Sequence, residues 1–340
     1  MTSERRLLTI AAVLTVTALI AACGSDDAGT GESADTADTS STADDAALTT
    51  QYPLTIDNCG NEIVIDAAPR NAVVLDTSLA ETLVALGVVD RIAATYFDFE
   101  NGGIDPANRT ALDTLTVLGD GGYPSREAVV SIGPDLVFAF GDSNFEQDGA
   151  PTRTDLEGTP IYRSEAFGCA EGEGVIEDSF EEIIELGMIF DRQAEAQAIV
   201  DEQQARLAAV EQAVADLEKP KVIYWDAYDV ENIRLLPFGY FQDAATRAGA
   251  EVLFSDVSDN SPVSREQIAT SDVEVVLAVD YGLDTTTPLL PLMQELVSAT
   301  PAGERGEDGV LAITNYPPNL QAVSLVEAIA KALHPEIEIG

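Results

Sequence analysis

SREAVVSIGPDLVFA, residues 125–139, is the stretch that decides the fold. Ser125 suits a helix N-cap, because its hydroxyl can accept hydrogen bonds from backbone N–H groups of the first turn. A buried strand follows at 136–139, where four apolar residues stand together. The same arrangement returns at 264–278, SREQIATSDVEVVLA, with the same spacing from Ser-Arg-Glu to the acid that precedes the strand. The sequence therefore predicts a helix-then-strand unit that occurs twice.

Short apolar runs and helical patterns alternate around both copies. The runs stand at 72–75, 92–95, 117–118 and 136–139, and again at 221–225, 233–236, 252–254 and 275–279. Helical patterns lie between them, near 79–86, 125–132, 241–248 and after 264. Alternating strands and helices are typical of a mainly parallel sheet. We predict an α/β fold with two similar lobes.

The middle of the chain, 175–217, is almost purely helical in pattern. A break near Asp191 to Gln193 leaves a second helix of roughly 25 residues, about 37 Å long. One more packed helix would explain the pattern, but such a length between two α/β segments favours a rigid connection. We predict an N-terminal lobe at 52–190, one long linking helix at 191–219 and a C-terminal lobe at 220–340.

The first 22 residues have the pattern of an export signal. Arg5 and Arg6 precede an apolar run that is too short to span a bilayer. Residues 20–23, Ile-Ala-Ala-Cys, resemble the bacterial lipobox, after which the Cys23 thiol receives a diacylglycerol. The alternative is an ordinary secretory signal that is cut nearby, with Cys23 uninvolved. We predict a protein that is lipid-anchored to the outer face of the cell membrane.

Residues 23–51 predict a disordered acidic linker. Between Gly24 and Thr50 there are seven acids, no base and no large apolar residue before Leu48. Such a segment cannot bury a core. It would act as a solvated tether between a lipid and a folded domain.

The charge balance is strongly acidic, with 60 acidic and 17 basic residues and a net charge of -43. Neutralising phosphates requires Lys and Arg, so a nucleic-acid partner is excluded. A solubilising acidic surface explains the charge better than an acidic binding site does.

Histidine and cysteine are scarce in this chain. His334 is the single histidine, which argues against Ser-His or Cys-His catalysis and against a histidine metal site. No nucleotide-binding or nucleophile-elbow glycine motif stands in the sequence, so we predict neither an enzyme nor a resident cofactor. Cys59 and Cys169 remain after Cys23, and an exported context permits a disulfide between them. The runs at 54–56 and 62–65 flank Cys59-Gly60-Asn61 and predict a small hairpin there.

Four segments together resemble the substrate-binding proteins of ABC importers for ferric siderophores, haem and cobalamin. They are APRNAVV at 68–74, AETLVALG at 80–87, the Ser125 helix with GPDLV at 133–137, and the long linking helix. The resemblance implies a monomer of two lobes that binds a small molecule in the cleft between them and delivers it to a permease dimer. The segment at 56–60, together with YPSRE at 123–127 and a later cysteine, is also similar to an actinobacterial branch assigned to iron complexes or to a deazaflavin precursor. A Cys59–Cys169 bridge would suit that branch.

The resemblance also implies an acid on each lobe that meets the permease. Glu81 lies six residues before Gly87, and Asp243 lies six before Gly249. Each glycine suits a helix C-cap, so each acid is expected near a helix start, where capping alone could explain it. The resemblance makes Glu81 and Asp243 the expected docking residues.

Ligands of parallel sheets meet the loops at the carboxyl ends of the strands. Aromatic residues recur at those loops, although core packing is the alternative for any one of them. With one added arginine, the expected ligand-binding residues are Tyr96, Tyr123, Phe140, Trp225, Tyr228, Arg234, Tyr240 and Tyr281. An aromatic cleft suits an iron-siderophore, or a similar metal chelate or macrocycle. Haem, cobalamin, a deazaflavin precursor, or a surface lipoprotein with no transport role remain the alternatives.

Overall fold

The two residues that follow Asn58 form a tight turn, because Cys59 and Gly60 both have positive φ, 53° and 78°. They join β1 (Leu54–Asn58) to β2 (Asn61–Ile65) in an antiparallel hairpin, as predicted. This computed structural model describes residues 49–96, 103–119, 123–146, 148–169, 173–226, 234–236, 239–255, 263–280 and 286–339.

The first large sheet is built from four short apolar strands. They are β3 (Ala72–Leu75), β4 (Ile92–Thr95), β5 (Leu136–Ala139) and β6 (Ile161–Arg163). All pair in parallel in the order β4-β3-β5-β6. The helices of this half are α1 (Thr77–Ala85), α2 (Pro106–Leu112) and α3 (Arg126–Ile132). The run at 117–118 was wrongly predicted as a strand, since it contributes a single bridge between Thr95 and Val117.

Two helices follow the first sheet, α4 (Ile176–Phe190) and α5 (Gln193–Val214). The predicted break lies at Asp191, which closes α4 in the left-handed conformation with φ 58°. Its carboxylate accepts a hydrogen bond from the Thr50 backbone N–H at 2.8 Å. The 22 residues of α5 span about 33 Å.

The second large sheet repeats the parallel arrangement. Its strands are β7 (Lys221–Asp226), β8 (Arg234–Leu235), β9 (Glu251–Val252), β10 (Val275–Asp280) and β11 (Val310–Thr314). They run in the order β11-β10-β7-β8, with β9 also beside β7, and only β8 is antiparallel. The helices are α6 (Gly239–Arg247), α7 (Arg265–Ala269), α8 (Thr286–Leu296), α9 (Pro301–Glu304) and α10 (Ala322–Leu333).

The repeated serine caps form as predicted. Ser125 Oγ accepts from the Ala128 N–H at 3.2 Å before α3, and Ser264 Oγ accepts from the Gln267 N–H at 3.2 Å before α7. Each capped helix leads into a strand whose side chains are almost all fully buried, β5 or β10. The two helix-then-strand units are therefore alike in structure as well as in sequence.

Each sheet is covered on both faces, as parallel strands require. The largest apolar cluster contains residues from α1, α4, α5, α6, α10 and from both sheets, so one core runs through the two halves. Two smaller clusters cover the outer faces of the second and first sheets. The predicted α/β class with two similar halves is confirmed. Among the residues described, no helix combines the length and apolar composition needed to cross a bilayer.

Candidate ligand cleft

The carboxyl ends of the first sheet bring several side chains to one edge. Asp76 follows β3, Tyr96 follows β4, Phe140 follows β5 and Ser164 follows β6. The rings of Tyr96 and Tyr123 stack with their centroids 5.0 Å apart. Tyr123 is 39% exposed and Phe140 46% exposed. These rings therefore form an accessible aromatic surface at this edge.

Aromatic contacts continue from this edge into the second half. The Phe140 ring contacts Phe167 at 5.2 Å between centroids, and Phe167 contacts Tyr240 of α6 at 5.4 Å. Phe241 follows, 5.3 Å from Tyr240 and 5.1 Å from Tyr224 of β7. We call these five rings the aromatic chain. It joins the carboxyl end of β5 to the second sheet.

The other expected ligand residues differ in their placement. Arg234 begins β8 beside Asp226, with 3.7 Å between the charged groups, and its side chain is 55% exposed. Tyr240 is only 2% exposed, and its hydroxyl donates to the Tyr316 carbonyl at 3.2 Å. It is therefore a buried member of the aromatic chain and not part of its accessible end. Tyr228 and Tyr281 lie outside the described residues, as does Cys23.

Trp225 was expected to line the cleft, but it is buried elsewhere. Its side chain is 2% exposed and belongs to the apolar cluster on the outer face of the second sheet, with Ile223 and Val276. β7 continues to Asp226, so Trp225 lies within the strand and points to the face opposite Tyr224.

Glu81 is buried, although the sequence led us to expect an exposed docking acid at this position. It is 1% exposed, and it is the fifth residue of α1, which Asp76 caps. Its Oε1 accepts from the Asp105 backbone N–H at 2.7 Å and from Gln321 Nε2 at 2.8 Å. Burial raises its pKa. The carboxyl group is therefore buried and hydrogen-bonded within the protein.

Asp243 is also engaged within the protein. Its carboxylate accepts from the Ile176 backbone N–H at 2.9 Å and from Arg247 Nε at 2.8 Å, and its side chain is 20% exposed. Because a carboxylate stabilises a helix N-terminus, Asp243 holds α6 against the start of α4. The Asp243 carboxylate therefore already has two partners within the protein.

Two other acids occupy matched and exposed positions. Glu127 stands in the first turn of α3, and Glu266 stands in the first turn of α7. Both are exposed. The signal that could have identified them is the repeated Ser-Arg-Glu segment, which sequence reasoning used for the fold alone.

Buried carboxyl groups lie beneath the edge of the first sheet. Glu182 of α4 accepts from Ser164 Oγ and the Glu165 N–H, both at 3.0 Å, and from the Ala166 N–H at 3.2 Å. Burial raises the pKa of Glu182 to about 8, and burial also raises the pKa of Asp76. Sequence patterns gave no sign of this cluster.

Asn319 of the second half contacts α4, the helix that carries Glu182. It is fully buried, and its backbone N–H donates to Ser179 Oγ at 3.0 Å. Asn319 has φ 64°, a conformation that asparagine tolerates better than most residues. Polar as well as apolar contacts therefore fasten the two halves together.

Metal-binding side chains come together at one place among the described residues, Cys59, Glu165 and Cys169. Cys59 and Cys169 are joined by a disulfide, so their sulfurs are not available as thiolates. His334 is 5% exposed at the end of α10, away from the aromatic chain.

The chain is similar to known binding proteins over most of its length. A cobalamin-binding protein of Halobacterium salinarum is 28% identical over 300 residues, which cover 84% of this chain and 75% of that protein. A periplasmic binding protein from Veillonella parvula has a TM-score of 0.71 at 22% identity, covering 83% of this chain and 97% of the other. An ABC-type Fe3+-hydroxamate transport protein from Saccharomonospora viridis has a TM-score of 0.64 at 23% identity, covering 84% and 100%.

These solved structures support the fold. The match that identifies the chain is a family model described as periplasmic binding protein, which aligns with residues 73–306. That range is more than half of the 340 residues and includes the first sheet, both central helices and most of the second sheet. The chain therefore belongs to the periplasmic binding protein family.

Proposed function

We propose that this protein captures a metal chelate or macrocycle outside the cell and delivers it to the permease of an ABC importer. The observation that carries the proposal is the aromatic chain with its exposed end at Phe140. Aromatic rings bind flat or apolar ligand faces, and contiguous exposed apolar surface is typical of ligand-binding grooves. Tyr96, Tyr123 and Arg234 would complete the cleft from either half.

The ligand brings its own metal coordination. The chain has a single histidine, which is buried at the end of α10, and the disulfide occupies both cysteines of the folded domain. A corrinoid is the first candidate, because the Halobacterium relative is a cobalamin-binding protein. A ferric hydroxamate is the second, after the Saccharomonospora structure. Haem and a deazaflavin precursor remain alternatives.

Calorimetric titration with cyanocobalamin, a ferric hydroxamate and haemin tests the proposal. We expect saturable binding of one of them, and Phe140→Ala should weaken it about tenfold or more, since one aromatic contact is worth about 1–3 kcal/mol. Leu292→Ala is the matched control, because Leu292 on α8 is similarly exposed at 43%. No binding by any of the three would contradict a metal chelate or macrocycle as the ligand, and equal loss in both variants would rule out a ligand site at the aromatic chain.

The permease-facing acids in this proposal are Glu127 and Glu266. Each is exposed at the first turn of its helix, one in each half, and complementary charges chiefly guide and orient association. They replace Glu81 and Asp243 in that role. The double variant Glu127→Gln with Glu266→Gln should bind ligand normally but lose most uptake into vesicles that carry the permease.

The control for docking removes two other exposed acids, Glu157 and Glu307, and so matches the change in net charge. Uptake should survive in that control. If both double variants lose uptake to the same degree, net charge rather than these two positions governs docking.

A lipid on Cys23 and the acidic tether at 23–51 would hold the protein at the outer face of the membrane. The start of the described chain is fixed, since Thr50 Oγ1 donates to the Met188 carbonyl at 2.7 Å. We expect wild-type protein in the detergent phase of a Triton X-114 partition and Cys23→Ser in the aqueous phase. Wild-type protein in the aqueous phase would favour an ordinary secretory signal. Sedimentation should show a monomer. The proposed parts of that monomer are an N-terminal lobe at 52–190, a linking helix at 191–219 and a C-terminal lobe at 220–340.

A further inference from the structure

The loop that follows β6, residues 164–169, contributes a half-buried ring, Phe167, to the aromatic chain. The Phe167 ring contacts Phe140 at 5.2 Å between centroids and Tyr240 at 5.4 Å. Phe140 is the exposed end of the aromatic chain, and among the described residues Phe167 is the ring that it contacts. The position of the Phe140 ring therefore depends on that of Phe167.

Phe167 is the third residue of a tight turn, 165–168. The Gly168 N–H donates to the Glu165 carbonyl at 2.6 Å and closes the turn. Gly168 has φ 86°, a conformation that glycine adopts without strain. Because the turn has a fixed backbone shape, the direction of the Phe167 ring depends on how the two ends of the turn are held.

Both ends of this turn are attached to one residue of the β1–β2 hairpin, Cys59. At the first end, Glu165 Oε1 accepts from the Cys59 backbone N–H at 2.7 Å. At the other end, Cys169 follows Gly168 directly and is joined to Cys59 by the disulfide. One attachment is a hydrogen bond to a carboxylate, which is stronger than one between neutral groups, and the other is covalent. Together they enclose the turn that carries Phe167.

Asn58, the last residue of β1, fixes the hairpin to the start of the same loop. Its side chain is buried, accepts from the Arg163 N–H at 2.8 Å and donates to the Arg163 carbonyl at 2.9 Å. The same Nδ2 donates to Glu165 Oε1 at 2.8 Å. The hairpin therefore holds the end of β6 as well as the turn that follows it.

We propose that the hairpin turn positions the aromatic chain for its ligand. Cys59 holds the 165–168 turn through Glu165 and through the disulfide to Cys169, the turn holds Phe167, and Phe167 holds the exposed Phe140 ring. Glu165 and the disulfide are positioning groups, which act on the ligand through these rings. The effect on affinity rests on the proposed function, whereas the placement of Phe167 can be measured in the ligand-free protein.

Fluorine NMR of protein labelled with 4-fluorophenylalanine measures that placement. Single Phe→Leu variants assign the resonances of Phe167, Phe140 and Phe190, and Phe190 serves as a reference because it is fully buried in the core. Cys169 is exposed, so a phosphine reductant can reach the disulfide. Reduction should shift or broaden the Phe167 and Phe140 resonances and leave that of Phe190 unchanged.

Variants separate positioning from a general loss of stability. Glu165→Ala and the double variant Cys59→Ser with Cys169→Ser should move the same two resonances, whereas Glu165→Gln keeps an acceptor oxygen for the Cys59 N–H and should not. Ile268→Ala is the destabilised control, because Ile268 is fully buried in the outer core of the second half, and it should leave both resonances in place. Unmoved resonances in both the reduced protein and Glu165→Ala would overturn the proposal.

Affinity is measured with whichever of cyanocobalamin, a ferric hydroxamate and haemin binds the wild type. Only variants are used, since a reductant would also reduce the metal of these probes. Glu165→Ala and the double cysteine variant should each weaken binding about three- to tenfold through lost preorganisation, while Glu165→Gln and Ile268→Ala should not. Moved resonances with unchanged affinity would overturn the positioning role and leave the proposed function standing. Absence of binding to wild type would count against the proposed function, and the fluorine spectra would still decide whether the hairpin turn holds Phe167.

Discussion

Gln321 and Glu81 are 240 residues apart in the chain, and the Gln321 Nε2 donates to Glu81 Oε1 at 2.8 Å. The same oxygen accepts from the Asp105 N–H, while Oε2 has no partner among the described residues. A residue expected at the protein surface thus fastens the second half of the molecule to α1. Its role is structural, and the first prediction follows from it.

Glu81→Ala should lower the free energy of unfolding by about 2–4 kcal/mol, because it leaves the Gln321 amide and the Asp105 N–H without an acceptor. Glu81→Gln should cost less, since it keeps one acceptor oxygen and burial already disfavours the charged carboxylate. Urea unfolding at pH 7 measures both. A Glu81→Ala protein of normal stability that fails only in uptake would restore the docking role.

Glu182 should make stability fall as pH rises. Its pKa moves from 4.5 to about 8 on burial, so the folded state holds a proton that the unfolded chain releases above about pH 4.5. The stabilisation is complete at low pH and is lost progressively up to about pH 8, by roughly 3–5 kcal/mol. The raised pKa of Asp76 also makes stability fall as pH rises. Wild type must therefore be compared with a Glu182 variant to isolate the effect of Glu182.

Glu182→Gln provides that comparison. The amide has one acceptor oxygen fewer, which should cost about 1–2 kcal/mol at pH 5. The difference in unfolding free energy between wild type and variant should then shrink or change sign by pH 8. Parallel stability curves from pH 5 to pH 8 would show that Glu182 does not titrate in this range.

Gly103 should tolerate no side chain opposite Tyr316. A Cβ at Gly103 would overlap Cδ1 of the Tyr316 ring, and the Gly103 N–H donates to the Asn315 carbonyl at 3.0 Å. Gly103→Ala should cost about 1–3 kcal/mol of stability through overpacking. In a Tyr316→Ala background the same methyl group should cost almost nothing, so a double-mutant cycle of thermal unfolding should give a large coupling. Additive effects would mean that the loops are not in contact.

The Cys59–Cys169 disulfide should contribute about 3–5 kcal/mol, because it closes a loop with a sequence separation of 110 that contains the whole first sheet. Reduction, or the double variant Cys59→Ser with Cys169→Ser, should lower the free energy of unfolding by the same amount, as measured by urea titration. Addition of a reductant to the double variant is the control and should change nothing. Unchanged stability after reduction would show that the link adds no constraint.

Local signals in the sequence were sufficient for the order of elements. Ser125 and Ser264 cap their helices as their side-chain chemistry requires. The break at Asp191 follows from the change in the apolar stripe between α4 and α5. Apolar runs bounded by turn residues marked most strands of both sheets.

The burial of individual polar and aromatic side chains could not be predicted from the neighbouring residues in the sequence. Trp225 lies in a strand covered on both faces, where there is no alternation to show which way a side chain points. Glu182 stands in a helix rich in acids, and contacts after β6 bury it. Glu81 is held in part by Gln321, which is 240 residues away in the chain.

Trp225 is the single tryptophan of the chain. Because it is buried on the outer face of the second sheet, its fluorescence reports on that part of the protein. Its emission should be blue-shifted and should report the integrity of the second half rather than occupancy of the cleft. Circular dichroism averages over the helices of both halves. Because one apolar core joins those halves, the fluorescence and dichroism transitions in urea should superimpose as a single two-state unfolding.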